Sequence, residues 1–107
     1  MEVRHQQRFP VHFHSVFSGP TLSESVGTIV NLSKSGCGVH TDSQVYAGIQ
    51  LALHLHVPDE ASPIHIEKAA VRWNRGRELG VGFITVAPPH QERLDQLLAR
   101  LKREQQA

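Results

Sequence analysis

Residues 49–57 read IQLALHLHV and carry the clearest structural signal in the chain. The odd positions are all Ile, Leu or Val, whereas the even positions hold glutamine, alanine and two histidines. This period of two is the period of a β-strand that buries one face and leaves the other face outside. The segment therefore predicts a strand whose odd-numbered side chains contribute to a core.

Further short strands are predicted on both sides of this segment, separated by Gly-, Pro- and Asn-containing turns. Their predicted ranges are 8–18, 26–30, 37–41, 64–73 and about 79–86. In the fourth of them Ile64 and Ile66 share one side, but Val71 and Trp73 share the other. A bulge or sharp bend near Lys68 accounts for this change of parity. We expect Trp73 to contribute to the core.

The chain changes period after the last strand. Four leucines with helical spacing follow two prolines at 88 and 89, which favour a helix start: Leu94, Leu97, Leu98 and Leu101. They predict an amphipathic helix over about 90–103. Six short strands followed by one helix indicate an all-β fold, a small antiparallel β-barrel with a C-terminal α-helix, because closure removes exposed strand edges.

Length and composition limit the class of protein. A chain of 107 residues predicts one domain over 1–107, with an N-terminal segment 1–8, a barrel over about 9–87 and the helix. The formal charge of +1 disfavours a large basic face, so DNA and RNA are not expected partners. Cys37 is the only cysteine, which excludes an intrachain disulfide and fits a reducing cytoplasm. No apolar run of about 18 residues predicts membrane insertion.

Sequence motifs for catalysis or cofactor binding are missing. Gly80 and Gly82 lie inside a predicted strand and not before a helix, so they give no support to nucleotide binding of the P-loop or Rossmann type. Ser33 and Cys37 lack the sequence context of a catalytic nucleophile. We therefore predict a protein without enzymatic activity, catalytic residues or a cofactor.

The histidines raise the question of a metal site. His12 with His14, and His54 with His56, have the spacing that places both side chains of a pair on the same face of a strand. Two such pairs brought together across a sheet could bind a transition metal. Ordinary surface imidazoles are the plainer interpretation, and we predict no metal site.

Two polar clusters remain. Arg4 and Arg8 stand four residues apart just before the first strand, and an Asn-x-Ser-x-x-Gly turn over 31–36 begins 23 positions after Arg8. Each alone is ordinary, the first as a solvated segment and the second as a tight turn whose glycine supplies a positive φ. Together and in this order they resemble the PilZ domain family. Residues 71–73 and 79–83 also resemble the last hairpin of that family.

The resemblance implies a six-stranded barrel with a C-terminal helix that binds the bacterial second messenger cyclic di-GMP. The ligand-binding residues it implies are Arg4, Arg8, Asn31, Ser33 and Gly36. The chemistry is suitable, because an arginine fork can bond phosphate oxygens or the O6/N7 edge of guanine with two hydrogen bonds. Arg72 and Arg75 of the last hairpin are possible additional ligand contacts. Trp73 is a third candidate, for which a core position is the plainer interpretation.

The expected function is therefore a bacterial, cytoplasmic receptor module that binds cyclic di-GMP and relays the signal to a downstream effector protein. One alternative is a PilZ-like adaptor that acts through protein contacts without ligand. A second is a small barrel that binds RNA or single-stranded DNA, which would need aromatic side chains beside a basic groove. Aromatic residues make up only 6% of the chain, and most of them lie on predicted core positions.

Overall fold

The computed structural model of the chain describes residues 7–106. In chain order it contains β1 (Phe9–Gly19), β2 (Leu22–Leu32), β3 (Gly36–His40), β4 (Gln50–His56), β5 (Ile64–Arg75), β6 (Glu78–Thr85) and α1 (Pro88–Gln106). All strand pairs are antiparallel, and they close into a barrel in the order β1-β2-β3-β6-β5-β4. The predicted fold class is confirmed.

The barrel interior holds the apolar side chains that the period of two placed on one face. In β4 the buried residues are Leu51, Leu53 and Leu55, each at most 5% exposed. β1 contributes Phe9, Phe13 and Phe17, which are buried by the same alternation. Each of these side chains stabilises the fold by roughly 1.5–3 kcal/mol through removal from water.

β2 begins at Leu22, earlier than the predicted residue 26. Residues 22–25 contain one apolar residue, Leu22, which is partly buried against the core, and three polar residues. Gly19 pairs with Leu22 and Phe17 with Ser25, so the first two strands form one long hairpin. The side-chain pattern could not predict this extension, because a single apolar residue sets no period.

β5 is irregular at two places. Against β4, Ile66 pairs with Leu53 and Ala69 with Leu51, so β5 has one extra residue between them and the predicted bulge near Lys68 is confirmed. A second shift follows, where Val71 pairs with Val81 but Trp73 already pairs with Gly80. The extra residue turns Trp73 outward, and its side chain is 47% exposed. The expectation that Trp73 lies in the core is therefore wrong.

Helix α1 covers part of the barrel with its leucine stripe. Leu94 and Leu97 are buried, whereas Leu98 and Leu101 are partly buried against the same core. Arg93 also joins the helix to the β4–β5 loop, because its guanidinium donates to the Ser62 and Pro63 carbonyls at 2.6 and 2.9 Å. Within residues 7–106, no helix has the length and apolar character of a membrane span.

Candidate functional site

The two sequence motifs meet where β1 and β2 pair. Pro10 lies opposite Asn31 in the register, and Arg8 just precedes it. The Nη1 of Arg8 donates a hydrogen bond of 2.6 Å to the Oδ1 of Asn31. Arg8 is exposed and Asn31 half-buried, so the amide holds one edge of the guanidinium while other N–H groups of the fork stay accessible. The remaining arginine of the motif, Arg4, lies outside the described residues.

Asn31 has room for its amide because β3 presents a glycine beside it. A Cβ on Gly38 would lie 2.6 Å from the Asn31 Nδ2, closer than real Cβ contacts come. The β2–β3 register also shifts between Ile29 and Asn31. The local backbone thus directs the Asn31 side chain across Gly38 while its carboxamide oxygen accepts from Arg8.

The turn between β2 and β3 is held by its own serine. The backbone N–H of Ser33 donates to the Gly36 carbonyl at 2.9 Å, and the Ser33 hydroxyl donates to the same oxygen at 3.2 Å. Ser33 is only 1% exposed, so in this state its hydroxyl shapes the turn. Its contact with a ligand stays a prediction.

Gly36 is required for a reason that differs from the expected one. Among the described residues, the glycines with positive φ are Gly48 and Gly76, so the expectation of a positive φ at Gly36 is wrong. Instead, a Cβ on Gly36 would collide with the carbonyl oxygen of Val81 on the neighbouring strand. The absence of a side chain therefore lets β3 approach β6 closely.

A groove of about 250 Å³ lies beside this turn on the outside of the barrel. It brings together Arg8 and Gly36 with Arg72 and Trp73 of β5 above a floor formed by residues 80–83 of β6. The backbone N–H of Phe83 donates to the Ser35 carbonyl at 2.8 Å, which fixes the turn against that floor. The structure thus gathers Arg8, Gly36 and Arg72 of the predicted site residues around one cavity.

Two glycines of β6 let large side chains lie flat along the groove. A Cβ on Gly80 would overlap the indole Nε1 of Trp73, and one on Gly82 would come within 2.5 Å of the Arg72 Nε. The second bulge of β5 turns these consecutive large residues outward together. Sequence reasoning named Arg72 as a possible ligand contact but missed the contribution of the two glycines. The available signal was Gly-x-Gly within a strand, which often marks close approach of a ligand or another chain segment.

The groove is electropositive. Arg8 and Arg72 line it, and the described residues that line it include no carboxylate. Arg75 lies nearby, with its guanidinium carbon 5.8 Å from the centre of the Trp73 ring, a distance suitable for a cation–π contact. Two guanidinium groups, an indole and accessible backbone form a surface suited to a flat, anionic ligand.

Cys37 lies on the inward side of the strand that follows the turn and is fully buried. Burial raises the pKa of the Cys37 thiol to about 12, and the positive charge of Arg8 opposes this rise only in part. The thiol is therefore neutral at physiological pH, which fits a core position and not a nucleophile.

The histidine pairs considered as metal ligands are only partly brought together. His14 lies against His56 and His54 against His65, with ring centroids 5.3 and 4.4 Å apart. Within residues 7–106, no group of three or more His, Cys, Asp or Glu side chains is arranged to hold a metal ion.

Comparison with known proteins gives a consistent result. The family model described as PilZ domain matches residues 2–100. The Bacillus subtilis inhibitor of motility (MotI/DgrA) has a similar structure, with a TM-score of 0.78 and 21% identity, over 100% of this chain and 55% of that one. A search of curated protein sequences finds no match.

Two further solved structures are similar. The PilZ domain of Escherichia coli YcgR with c-di-GMP matches with a TM-score of 0.76 and 15% identity, over 96% of this chain and 94% of that one. The K. pneumonia MrkH–c-di-GMP complex matches with a TM-score of 0.75 and 17% identity, over 99% of this chain and 55% of that one. At these identities the structural likeness shows a shared fold.

Proposed function

Because the chain belongs to the PilZ domain family, we propose that it is a receptor module that binds cyclic di-GMP and relays the signal to a partner protein in the bacterial cytoplasm. PilZ domains are receptor or adaptor domains rather than enzymes. The observation that carries the proposal is the hydrogen bond between Arg8 and Asn31, which joins the two motifs beside a groove lined by arginine.

The chemistry of the ligand matches the groove. Cyclic di-GMP offers two phosphate anions and two guanine O6/N7 edges, and a planar guanidinium can form paired hydrogen bonds with either. Arg8 is oriented by Asn31, and Arg72 lies along Gly82 in the same groove. In the proposal, Arg8 and Arg4 hold the phosphates or a guanine edge, while Arg72 supplies a second cation.

Trp73 gives the groove a stacking surface. Its indole packs against Gly80, the residue is 47% exposed, and the guanidinium carbon of Arg75 lies 5.8 Å from the ring centre. Base–aromatic stacking contributes about 1–3 kcal/mol per base. We assign one guanine to this surface, with Arg75 near the edge of the stacked rings.

Isothermal titration calorimetry with cyclic di-GMP tests the proposal. We expect a dissociation constant of about 1 μM or tighter, which corresponds to about −8 kcal/mol. Arg8→Ala removes a charge-assisted contact of about 1.5–3 kcal/mol and should weaken binding by at least about tenfold. Arg103→Ala, which removes the same charge from the exposed face of α1, should bind like the wild type.

Two ligand controls make the test specific. Cyclic di-AMP carries the same phosphates but presents an N6 amine donor where guanine presents the O6 acceptor, so it should bind much more weakly. Absence of cyclic di-GMP binding by the folded wild type would overturn the proposal and favour the ligand-independent adaptor. Tight binding of single-stranded DNA or RNA would favour the nucleic-acid module instead.

A further inference from the structure

Three imidazoles form a row that joins β4, β5 and α1 on the outside of the barrel. The ring centroids of His54 and His65 are 4.4 Å apart, and those of His65 and His90 are 5.9 Å apart. The backbone N–H of His65 donates a hydrogen bond of 3.0 Å to the Nδ1 of His90. His90 thereby connects the first turn of the helix to the beginning of β5.

This hydrogen bond depends on the protonation state of His90. An imidazole nitrogen accepts a hydrogen bond only when it carries no proton, so the contact requires the neutral ring with its proton on Nε2. The imidazolium form carries a proton on both nitrogens, so its Nδ1–H would point at the backbone N–H of His65 and the hydrogen bond would be lost. His90 also lies in the first turn of α1, where the positive end of the helix dipole disfavours a cation.

The surroundings of His90 provide little compensation for a positive charge. From β5 it faces His65, whose own Nδ1 is buried without a hydrogen-bond partner among the described residues. His54 of β4 lies next to His65. Burial and the nearby His65 lower the pKa of His54, and Glu24 of β2 opposes this shift in part. On the helix, Glu92 is exposed, and Arg93 is bound to the β4–β5 loop.

We propose that His90 is a proton-sensitive latch: the neutral ring strengthens the attachment of the start of α1 to the barrel, and the protonated ring weakens it. Histidine is the side chain that ordinarily changes charge between about pH 5 and 8. A weaker attachment makes transient opening of the first turns more frequent, and this opening exposes Leu94 and Leu97, which are otherwise buried. This inference does not rest on the proposed binding of cyclic di-GMP.

Hydrogen exchange of the full chain at about pH 8 and about pH 5.5, corrected for intrinsic rates, tests the latch. We expect protection of α1 to fall by about tenfold at the lower pH, the size of one hydrogen bond whose donor is left without a partner. Peptides from β1 and β4 should keep their protection, which separates helix release from global unfolding.

His90→Asn is the decisive variant, because the Asn Oδ1 can accept the same hydrogen bond and does not titrate. Its helix should stay protected at both pH values. His12→Asn is the matched control; His12 is an exposed histidine of β1, and this variant should lose α1 protection on acidification as the wild type does.

The latch is overturned if the wild-type helix is equally protected at both pH values, or if His90→Asn loses protection as the wild type does. A second measurement covers the case in which the variant folds poorly. In the wild type, the NMR shift of the His65 amide proton should follow the titration of the His90 ring and move upfield on acidification. If the chemical shift of the His65 amide proton does not change as the His90 ring is protonated, the latch is also overturned.

Discussion

The two parts of β5 serve different purposes. Over residues 64–71 the inward side chains, among them Ile66 and Val71, are buried in the core. Over residues 72–75 every residue is exposed, and Arg72 and Trp73 line the groove. The bulge between Val71 and Trp73 separates the two parts. One inserted residue thus turns the strand from the core to the groove, and if the proposed function holds, stability and ligand affinity should respond to different substitutions along it.

The largest effect is expected in the core part. Ile66 is fully buried, and Ile66→Ala removes methyl groups that the rigid barrel cannot replace. The free energy of unfolding should fall by about 2–5 kcal/mol in urea titrations, with cyclic di-GMP affinity unchanged for the folded fraction. Ile66→Val, at about 0.5–1.5 kcal/mol, covers the case in which the alanine variant fails to fold. A selective loss of affinity would break the division of β5.

Substitutions in residues 72–75 of β5 should change ligand affinity and leave stability nearly unchanged. Arg72→Lys keeps the charge but loses the planar fork, so cyclic di-GMP affinity should fall by about tenfold in calorimetry. The free energy of unfolding should change by less than about 0.5 kcal/mol, because Arg72 is exposed. Arg103→Lys on α1 is the matched control. Unaltered affinity in Arg72→Lys would remove this residue from the site.

Gly80→Ala probes the groove floor without changing any charge. The new methyl group would occupy the position of the Trp73 indole, so the ring must leave its place. Affinity should fall by about fivefold, which corresponds to ~1 kcal/mol of lost stacking. The fluorescence of Trp73, the only tryptophan, should shift to longer wavelength. Adding Trp73→Ala should cause little further loss of affinity; two independent losses would show that Gly80 acts by another route.

The smallest effect concerns Cys37, on the inward side of the same site. Its pKa is raised by burial to about 12 from an ordinary value of 9.0, so the unfolded chain releases this proton first as pH rises. The contribution of Cys37 to the free energy of unfolding is therefore fully present below about pH 8. It falls by about 0.4 kcal/mol at pH 9 and decreases further at higher pH. Comparison with Cys37→Ala isolates this contribution from the other titrating groups. An identical pH dependence in the two proteins would contradict the assignment.

The fold could be predicted from the sequence wherever one side of an element is buried. Residues 49–57 and the leucines of the helix repeat with clear periods, and the parity change near Lys68 revealed its bulge. Residues 22–25 gave no such signal, because Leu22 is their only apolar residue and one residue sets no period. The second bulge could not be predicted either, since Val71 and Trp73 are compatible with regular alternation. Only the pairing with β6 shows that Trp73 turns outward.

The candidate site was predictable to the extent that its residues belong to linear motifs. The family resemblance assigned Arg8 and Asn31 to one ligand site, but their hydrogen bond depends on strand register and was not predicted. Gly80 and Gly82 were missed as site residues because their contribution is the space they leave for Trp73 and Arg72. The contact between His90 and the His65 amide joins residues 25 positions apart, and no spacing rule predicts it.

Closure of the barrel extends over only part of its strands. β2 pairs with β3 from Thr28 to Leu32, whereas its residues 22–25 pair with β1 alone. Where a strand has a neighbour on each side, another chain cannot add a strand to the sheet, a mode of docking that reads backbone and tolerates varied sequences. Recognition over those parts must use outward side chains or the helix, and it can change through surface substitutions while the hydrogen-bonded frame stays the same.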